Sequence, residues 1–470
     1  MSEVLDGIGV APRVDGTLPS VFIMTHSHPK LTRGGAEISA NTLFRELKAR
    51  GATAWLMGVA SARSALRLGA TLTQPYGPDD FVYHPNAEFD YFKFANPDPQ
   101  FPRVLEELMA ELRPDIVHSH HFVRFGVESF AAIKRGSPGT RIVLSLHEYL
   151  AICNHHGQMM KTRTLRLCEK ESYAACAACF PQHGERDFFL RKRYIQMFFD
   201  DVDLFVSPSH FLADRFRSWG LPPEKLTVLE NMPPERPELP AAEARTPAPP
   251  RPAAIATPKP RFSGERGALA QEGTPAGRRA AGGVAAAGRL LRFGFFGQMS
   301  PLKGILVLMD AAKRLDAMGV DNVVIEIYGD YSSQPPDFQK AVKEALEEAS
   351  ENVVFHGVYD NAQVNDLMRR MDAIVMPSTW WENSPVVIQE AFTNGRPVIC
   401  SNIGGMAEKV THGVNGLHFE VSRPASLAAV LAELAEDPGK LSALQATVTP
   451  PPDAGTVLDE HLTLYRRVMN

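Results

Sequence analysis

The sequence predicts an α/β protein made of two parallel-sheet domains. Three observations lead there: the chain has 470 residues, short β-rich runs alternate with helical patterns through both halves, and a stretch without large apolar residues separates them. At roughly 100–200 residues per domain, this length points to two cores. Strand and helix in strict alternation imply parallel sheets covered by helices on both faces.

In the first half, residues 21–25 (VFIMT), 53–57, 115–118, 141–146, 203–206 and 226–229 read as buried strands. A helical pattern follows the first, with Ala40, Leu43, Phe44 and Leu47 on one face. The second half repeats the theme at residues 292–296, 323–328, 353–356, 373–376, 398–400 and 417–419. Between them, residues 236–288 are dense in Pro, Ala, Arg and Gly without periodicity. Such a composition buries too little surface to offset chain entropy and predicts a flexible linker. The expected organisation is therefore an N-terminal domain over 1–235 with a Cys-rich insertion at 150–185, the linker at 236–288, a C-terminal domain over 289–450 and a helical segment at 451–470.

Composition narrows the function. With 49 basic against 54 acidic side chains and a net charge of -5, the chain lacks the basic surplus of a nucleic-acid binder. Residues 1–16 do not read as a secretory signal, and no run of ~18 apolar residues offers a membrane span. A cytoplasmic protein is expected, any membrane contact being peripheral at the inner face.

In open α/β sheets, ligands bind beyond the carboxyl ends of the strands, so chemistry is sought there. Gly34-Gly35 follows the first strand and opens the next helix, whose free N–H groups suit a phosphate. The run FGFFGQMSPLKG, residues 293–304, carries a strand into a turn with Gly297, Gln298, Lys303 and Gly304. A lysine there is a point charge suited to a diphosphate. The run MPSTWWENSPVVIQEAFTNGRPVICSNIGG, residues 376–405, places Glu382 and Asn383 in an entry loop. Ser384 is expected to cap a helix beginning at Pro385, with Glu390 in its second turn and Asn394-Gly395 at its end.

This last run resembles the donor-site signature of glycosyltransferase family 4, in which two glutamates separated by seven residues, Glu382 and Glu390 here, precede an Ala and a Gly-x-Pro-Val strand entry. Gly34-Gly35-Ala36-Glu37, His147-Glu148-Tyr149, Ser207-Pro208-Ser209 and the 297–304 turn match in the same order. The resemblance implies the GT-B architecture, two Rossmann-like domains facing across a cleft, and retaining transfer from a nucleotide sugar to a glycan or lipid-linked glycan, without nucleic acid or catalytic metal. It implies that Lys303 neutralises the diphosphate, Glu390 accepts from the ribose hydroxyls, and Glu382 with the Asn383 and Ser384 backbone holds the donor sugar. Gly35 would face the phosphates across the cleft, and His147 would sit near the transferred sugar. Gln298 departs from the family, which often has an arginine there, so more of the phosphate's stabilisation falls on Lys303 and helix N-termini.

Cys153, Cys168, Cys176 and Cys179 form a second constellation. Four thiolates close a tetrahedral zinc shell, so a structural zinc is the first reading, with an iron–sulfur centre or free thiols as the others. Cys400 ends an apolar strand and reads as core. The rival functions are a silent nucleotide-sugar-binding subunit and another GT-B enzyme, such as an epimerase or phosphorylase. A nicotinamide dehydrogenase is disfavoured by the lack of a clear G-x-G-x-x-G with a following acid.

Overall fold

A computed structural model of the chain describes residues 18–32, 34–60, 70–234 and 289–470. The expected linker at 236–288 lies outside the described residues. The first half runs β1 Val21–Thr25, α1 Gly35–Ala49, β2 Ala54–Val59, β3 Leu72–Thr73, β4 Asp80–Tyr83, α2 Gln100–Leu112, β5 Ile116–Ser119, α3 Ser129–Gly136, β6 Arg141–Ser145, α4 Tyr173–Cys179, α5 Glu185–Phe199, β7 Leu204–Ser207, α6 His210–Trp219 and β8 Leu226–Val228. The second runs β9 Leu291–Phe296, α7 Ile305–Ala317, β10 Val323–Tyr328, α8 Pro336–Glu347, β11 Val353–Gly357, α9 Val364–Arg369, β12 Ala373–Met376, α10 Val386–Thr393, β13 Val398–Ser401, α11 Gly404–Lys409, β14 Gly416–Phe419, α12 Pro424–Glu436, α13 Pro438–Thr447 and α14 Ala454–Met469.

These strands make two sheets. The first has the order β3-β4-β2-β1-β5-β6-β7-β8 and is parallel except at β3; the second, β11-β10-β9-β12-β13-β14, is parallel throughout. In each, the first strand in sequence lies between neighbours that connect in opposite directions. That reversal opens a crevice at the strand's carboxyl end. Gly34-Gly35 and the 297–304 turn follow those two strands, β1 and β9.

Both faces of the first sheet are buried. Along β1, Phe22 and Met24 join the core beneath α2 and α3, whereas Val21 and Ile23 pack under α1 and α14. The period of two thus supplies two apolar faces rather than one. The C-terminal helix α14 belongs to the first domain's core, through Val457, Leu458, Leu462 and Tyr465. An Arg50–Asp459 ion pair (2.8 Å) lies beside it. The second sheet is covered by α7 and α12 on one face and by α9, α10 and α11 on the other.

The short β3 and β4 were absent from the sequence reading. They flank the Gln74-Pro75-Tyr76-Gly77-Pro78 turn, whose residues mask so brief a strand pair.

Tyr465 carries α14 into a polar seam inside the first domain: its hydroxyl lies 2.6 Å from His118 Nδ1, and His118 Nε2 lies 2.8 Å from Ser145 Oγ. Burial holds His118 well below the ordinary imidazole range and His461 at about 4. Both stay neutral in the folded chain, while their unfolded counterparts protonate below about 6.5. Stability is therefore full above pH 6.5 and falls as pH drops from there toward 4, by ~1.4 kcal/mol per pH unit for each such histidine. Urea unfolding followed across this window should show that slope, and His461→Gln should reduce it by the amount due to one proton.

Candidate functional site

The loop after β6 in the first domain meets the loop between β12 and α10 in the second, and the loops after β5 and β1 pack beside it. Glu382 lies in that loop, 6% exposed. One of its oxygens accepts from Lys303 Nζ (2.6 Å), Ser378 Oγ (2.9 Å) and Trp380 Nε1 (2.9 Å). Lys303 and Glu382, drawn from different motifs, are therefore a bonded pair. Lys303 arrives on a single 3-10 turn, and Gly304 behind it has φ +70°. A Cβ on Gly304 would overlap the Pro377 carbonyl, so the close passage of this turn across the end of β12 requires glycine.

Gly405 is needed for the same reason. Its N–H donates to the Glu382 carbonyl (2.6 Å), and a Cβ there would overlap the Asn383 carbonyl. The Gly404-Gly405 pair thus lets α11 begin directly against the Glu382 loop.

Asn383 reaches across the cleft and donates from Nδ2 to the His147 carbonyl (2.8 Å). Ser384 does not cap α10, as the sequence had suggested. Its hydroxyl donates to Glu230 (2.6 Å) of the first domain, and α10 starts one residue later than expected, at Val386, without a side-chain cap. The cross-domain acceptor competes with the local backbone for the serine hydroxyl. Gly35, at the start of α1, faces Val386 at the start of α10, so two helix N-termini converge on the cleft. Gly297 has φ +124°, and Gln298 donates to Ser333 (3.0 Å).

Glu390 sits in α10, 8% exposed, and burial pushes its carboxyl up to about 7. His147 lies beyond β6, its Nε2 3.1 Å from His120 Nδ1. Burial lowers His147 to about 4 and holds His120 well below the ordinary imidazole range, so both are neutral. His120 Nε2 is buried with no hydrogen-bond partner. Beside them, His121 bonds to Glu148, and His26 Nε2 lies 3.1 Å from Glu37. The sequence reading missed His26, His120 and His121. The run His118-Ser119-His120-His121 directly after a predicted strand was the available signal.

Four side chains seal the rest of the seam. Lys409 pairs with Glu230 and donates to the Pro208 carbonyl (2.7 Å). Glu408 accepts from the His210 (2.9 Å) and Phe211 (2.8 Å) N–H groups, capping α6 from the other domain. Trp381 donates to the Cys168 carbonyl (3.1 Å), and Arg215 lies over both Phe211 (4.7 Å) and Trp381 (5.1 Å). The Ser207-Pro208-Ser209 motif is therefore part of the contact between domains.

The four cysteines do not make a ready metal shell. Among the described residues, no three His, Cys, Asp or Glu side chains are grouped so as to hold a metal ion. Burial raises the thiols of Cys153, Cys168 and Cys176. The insertion is anchored by apolar side chains, with Ile152, Met159 and Met160 buried. Arg191, fully buried on α5, donates to the carbonyls of Phe92 (2.6 Å), Ala151 (2.7 Å) and Leu150 (2.6 Å).

Comparison with known proteins accords with this geometry. Residues 33–232 match the family described as Glycosyltransferase Family 4, and residues 286–447 match Glycosyl transferases group 1. The lipopolysaccharide 1,2-N-acetylglucosaminetransferase of Salmonella typhimurium is 31% identical over 129 residues, 27% of this chain and 34% of that protein. The D-inositol 3-phosphate glycosyltransferase of Rhodococcus jostii is 32% identical over 156 residues, 32% of this chain and 34% of that protein. The match thus spans about a third of the length of these curated relatives. The crystal structure of Anabaena HepE with UDP and glucose superposes with a TM-score of 0.56 at 17% identity, covering 96% of this chain and 97% of that one. At that identity the likeness establishes the fold, which is GT-B.

Two outcomes follow from the site. Because Glu390 holds its proton more tightly folded than unfolded, its contribution to stability is lost as pH rises from the ordinary carboxylate range through about 7. Glu390→Gln should therefore be more stable than the parent at pH 8, by on the order of 2 kcal/mol, with the difference vanishing near pH 4.5; chemical denaturation at both pH values checks this. Gly405→Ala should lower stability by about 1–3 kcal/mol through the forced shift of the Asn383 backbone, seen as a reduced melting temperature.

Proposed function

We propose that this chain, matching Glycosyltransferase Family 4 in its first half and Glycosyl transferases group 1 in its second, moves a sugar from a nucleotide-sugar donor to a glycan or lipid-linked glycan, with retention of the anomeric configuration. The observation that carries the proposal is the Lys303–Glu382 pair beside two converging helix N-termini. Two helix starts and a lysine make a site for a diphosphate. The UDP bound by Anabaena HepE supports a nucleoside diphosphate as the leaving group.

In this reading the donor spans the cleft. Ribose hydroxyls donate to Glu390, and their hydrogen bonds offset the cost of ionising that buried carboxyl. The diphosphate takes over Lys303, which frees Glu382 to accept from hydroxyls of the donor sugar. As the bond to the anomeric carbon breaks, negative charge grows on the diphosphate, and Lys303 with the N–H groups of α1 and α10 stabilises it. His147, neutral and fixed by His120, borders the acceptor side and accepts or donates a hydrogen bond without adding charge. Retention follows from attack on the face the diphosphate leaves, and the acceptor's proton passes to the departing phosphate oxygen.

A structural zinc at Cys153, Cys168, Cys176 and Cys179 stands as a separate proposal. It requires the four side chains to turn toward one point. About one zinc per purified chain would establish it, and a metal-free, fully stable chain would end it.

Purified protein incubated with a panel of nucleotide sugars should release nucleoside diphosphate from one of them. Glu390→Gln should raise KM for that donor, because ribose contacts persist through the reaction. Lys303→Ala should lower kcat roughly a hundredfold, because leaving-group charge is greatest in the transition state. Nucleotide binding without turnover on any donor or acceptor would favour a silent binding subunit instead.

A further inference from the structure

The outer face of α5 is unusual for a surface helix. Arg186, Phe189, Leu190, Arg193 and Met197 recur at i, i+3, i+4, i+7 and i+11, so they form one stripe. The stripe faces solvent: Phe189 and Leu190 are each 46% exposed and Met197 is 55% exposed, with Arg186 and Arg193 exposed beside them. Helix α4 extends this face, the Tyr173 and Phe189 rings lying 5.9 Å apart edge to face. The hairpin before α4, tied to it by a Thr162 hydroxyl bond to the Cys179 carbonyl (3.0 Å), presents Leu165 at 60% exposure.

Charge on this stretch runs against that of the whole molecule. Residues 149–193 contain eight Lys and Arg, of which Arg191 is fully buried, against four Asp and Glu, which leaves a surplus of three positive charges outside the core in a chain whose net charge is -5. Exposed large apolar side chains interleaved with arginines, on a chain with no helix among its described residues long and apolar enough to cross a bilayer, are the signature of a surface that lies in a lipid interface.

We propose that the α5 face, with the adjoining hairpin, docks on an anionic membrane surface. Phe189, Leu190 and Met197 enter the headgroup boundary while Arg186 and Arg193 meet lipid phosphates. The inner side of the same helix anchors the chain just beyond the His147 loop: Arg191 binds the Leu150 and Ala151 carbonyls, directly after His147-Glu148-Tyr149. One helix diameter, roughly 10–12 Å, therefore separates bilayer from acceptor loop. The inference rests on the transferase reading for its purpose, delivery of a lipid-linked acceptor. The binding itself rests on the surface alone.

Sedimentation of the full chain with phosphatidylcholine vesicles, with and without phosphatidylglycerol, tests it. Binding should require phosphatidylglycerol and weaken at high salt. Arg186→Gln with Arg193→Gln should lower affinity roughly thirtyfold, taking the usual contribution of each cation near such a surface. Phe189→Ser with Leu190→Ser and Met197→Ser should abolish binding. Thermal stabilisation of these variants by UDP should match the parent's, which shows an intact fold and keeps failure here distinct from failure of the donor-site reading. Unchanged vesicle binding by the variants would overturn the proposal. So would a parent dimer that the triple serine variant converts to monomer, since the stripe would then be a protein interface.

Discussion

Everything at the candidate site depends on how closely two backbones approach each other across the cleft. The Asn383 amide meets the His147 carbonyl, and the Trp381 indole meets the Cys168 carbonyl. The loop carrying Glu382 is thus hydrogen-bonded on one side to the first domain and on the other to α11, through the Gly405 N–H. A loop held at both edges has little freedom to move its carboxylate. This pre-organisation lets one residue serve as a fixed acceptor. Glu408 and Lys409 then bind α6 and Glu230 a short distance away, so closing the cleft and positioning Glu382 are one event.

The electrostatics on the two sides of the cleft differ in kind. The first domain contributes neutral imidazoles, His118, His120 and His147, each held below its ordinary range by burial. The second contributes the Lys303–Glu382 pair and the protonatable Glu390. Glu390 carries a cost in the empty protein, since burial without a partner disfavours its ionised form. Sites that bind ligands often hold strain of this kind.

The insertion between β6 and α5 was read from its cysteines, yet its visible role is mechanical. Its Cys168 carbonyl anchors Trp381, the Glu169 carbonyl accepts from Arg215, and Arg191 fastens its base to the domain. Those contacts use backbone oxygens, to which the identity of the side chains gives no clue.

The sequence by itself determined the alternation of strands and helices, the two sheets and the place of each motif after its strand. These depend on local periodicity and on turn residues such as Gly304, which are written residue by residue. It could not determine which side chains would share a partner. Ser384 looked like a helix cap until Glu230, 154 residues away, took its hydroxyl, and the final helix looked independent until Tyr465 reached His118 across 347 residues. Lys303 and Glu382 were both legible as charged residues of one cleft, but not as a bonded pair. Such contacts arise from where the chain returns in space. Tertiary structure alone decided them, because the free energy of a hydrogen bond depends on distance in space and on burial, and a pattern along the chain encodes neither.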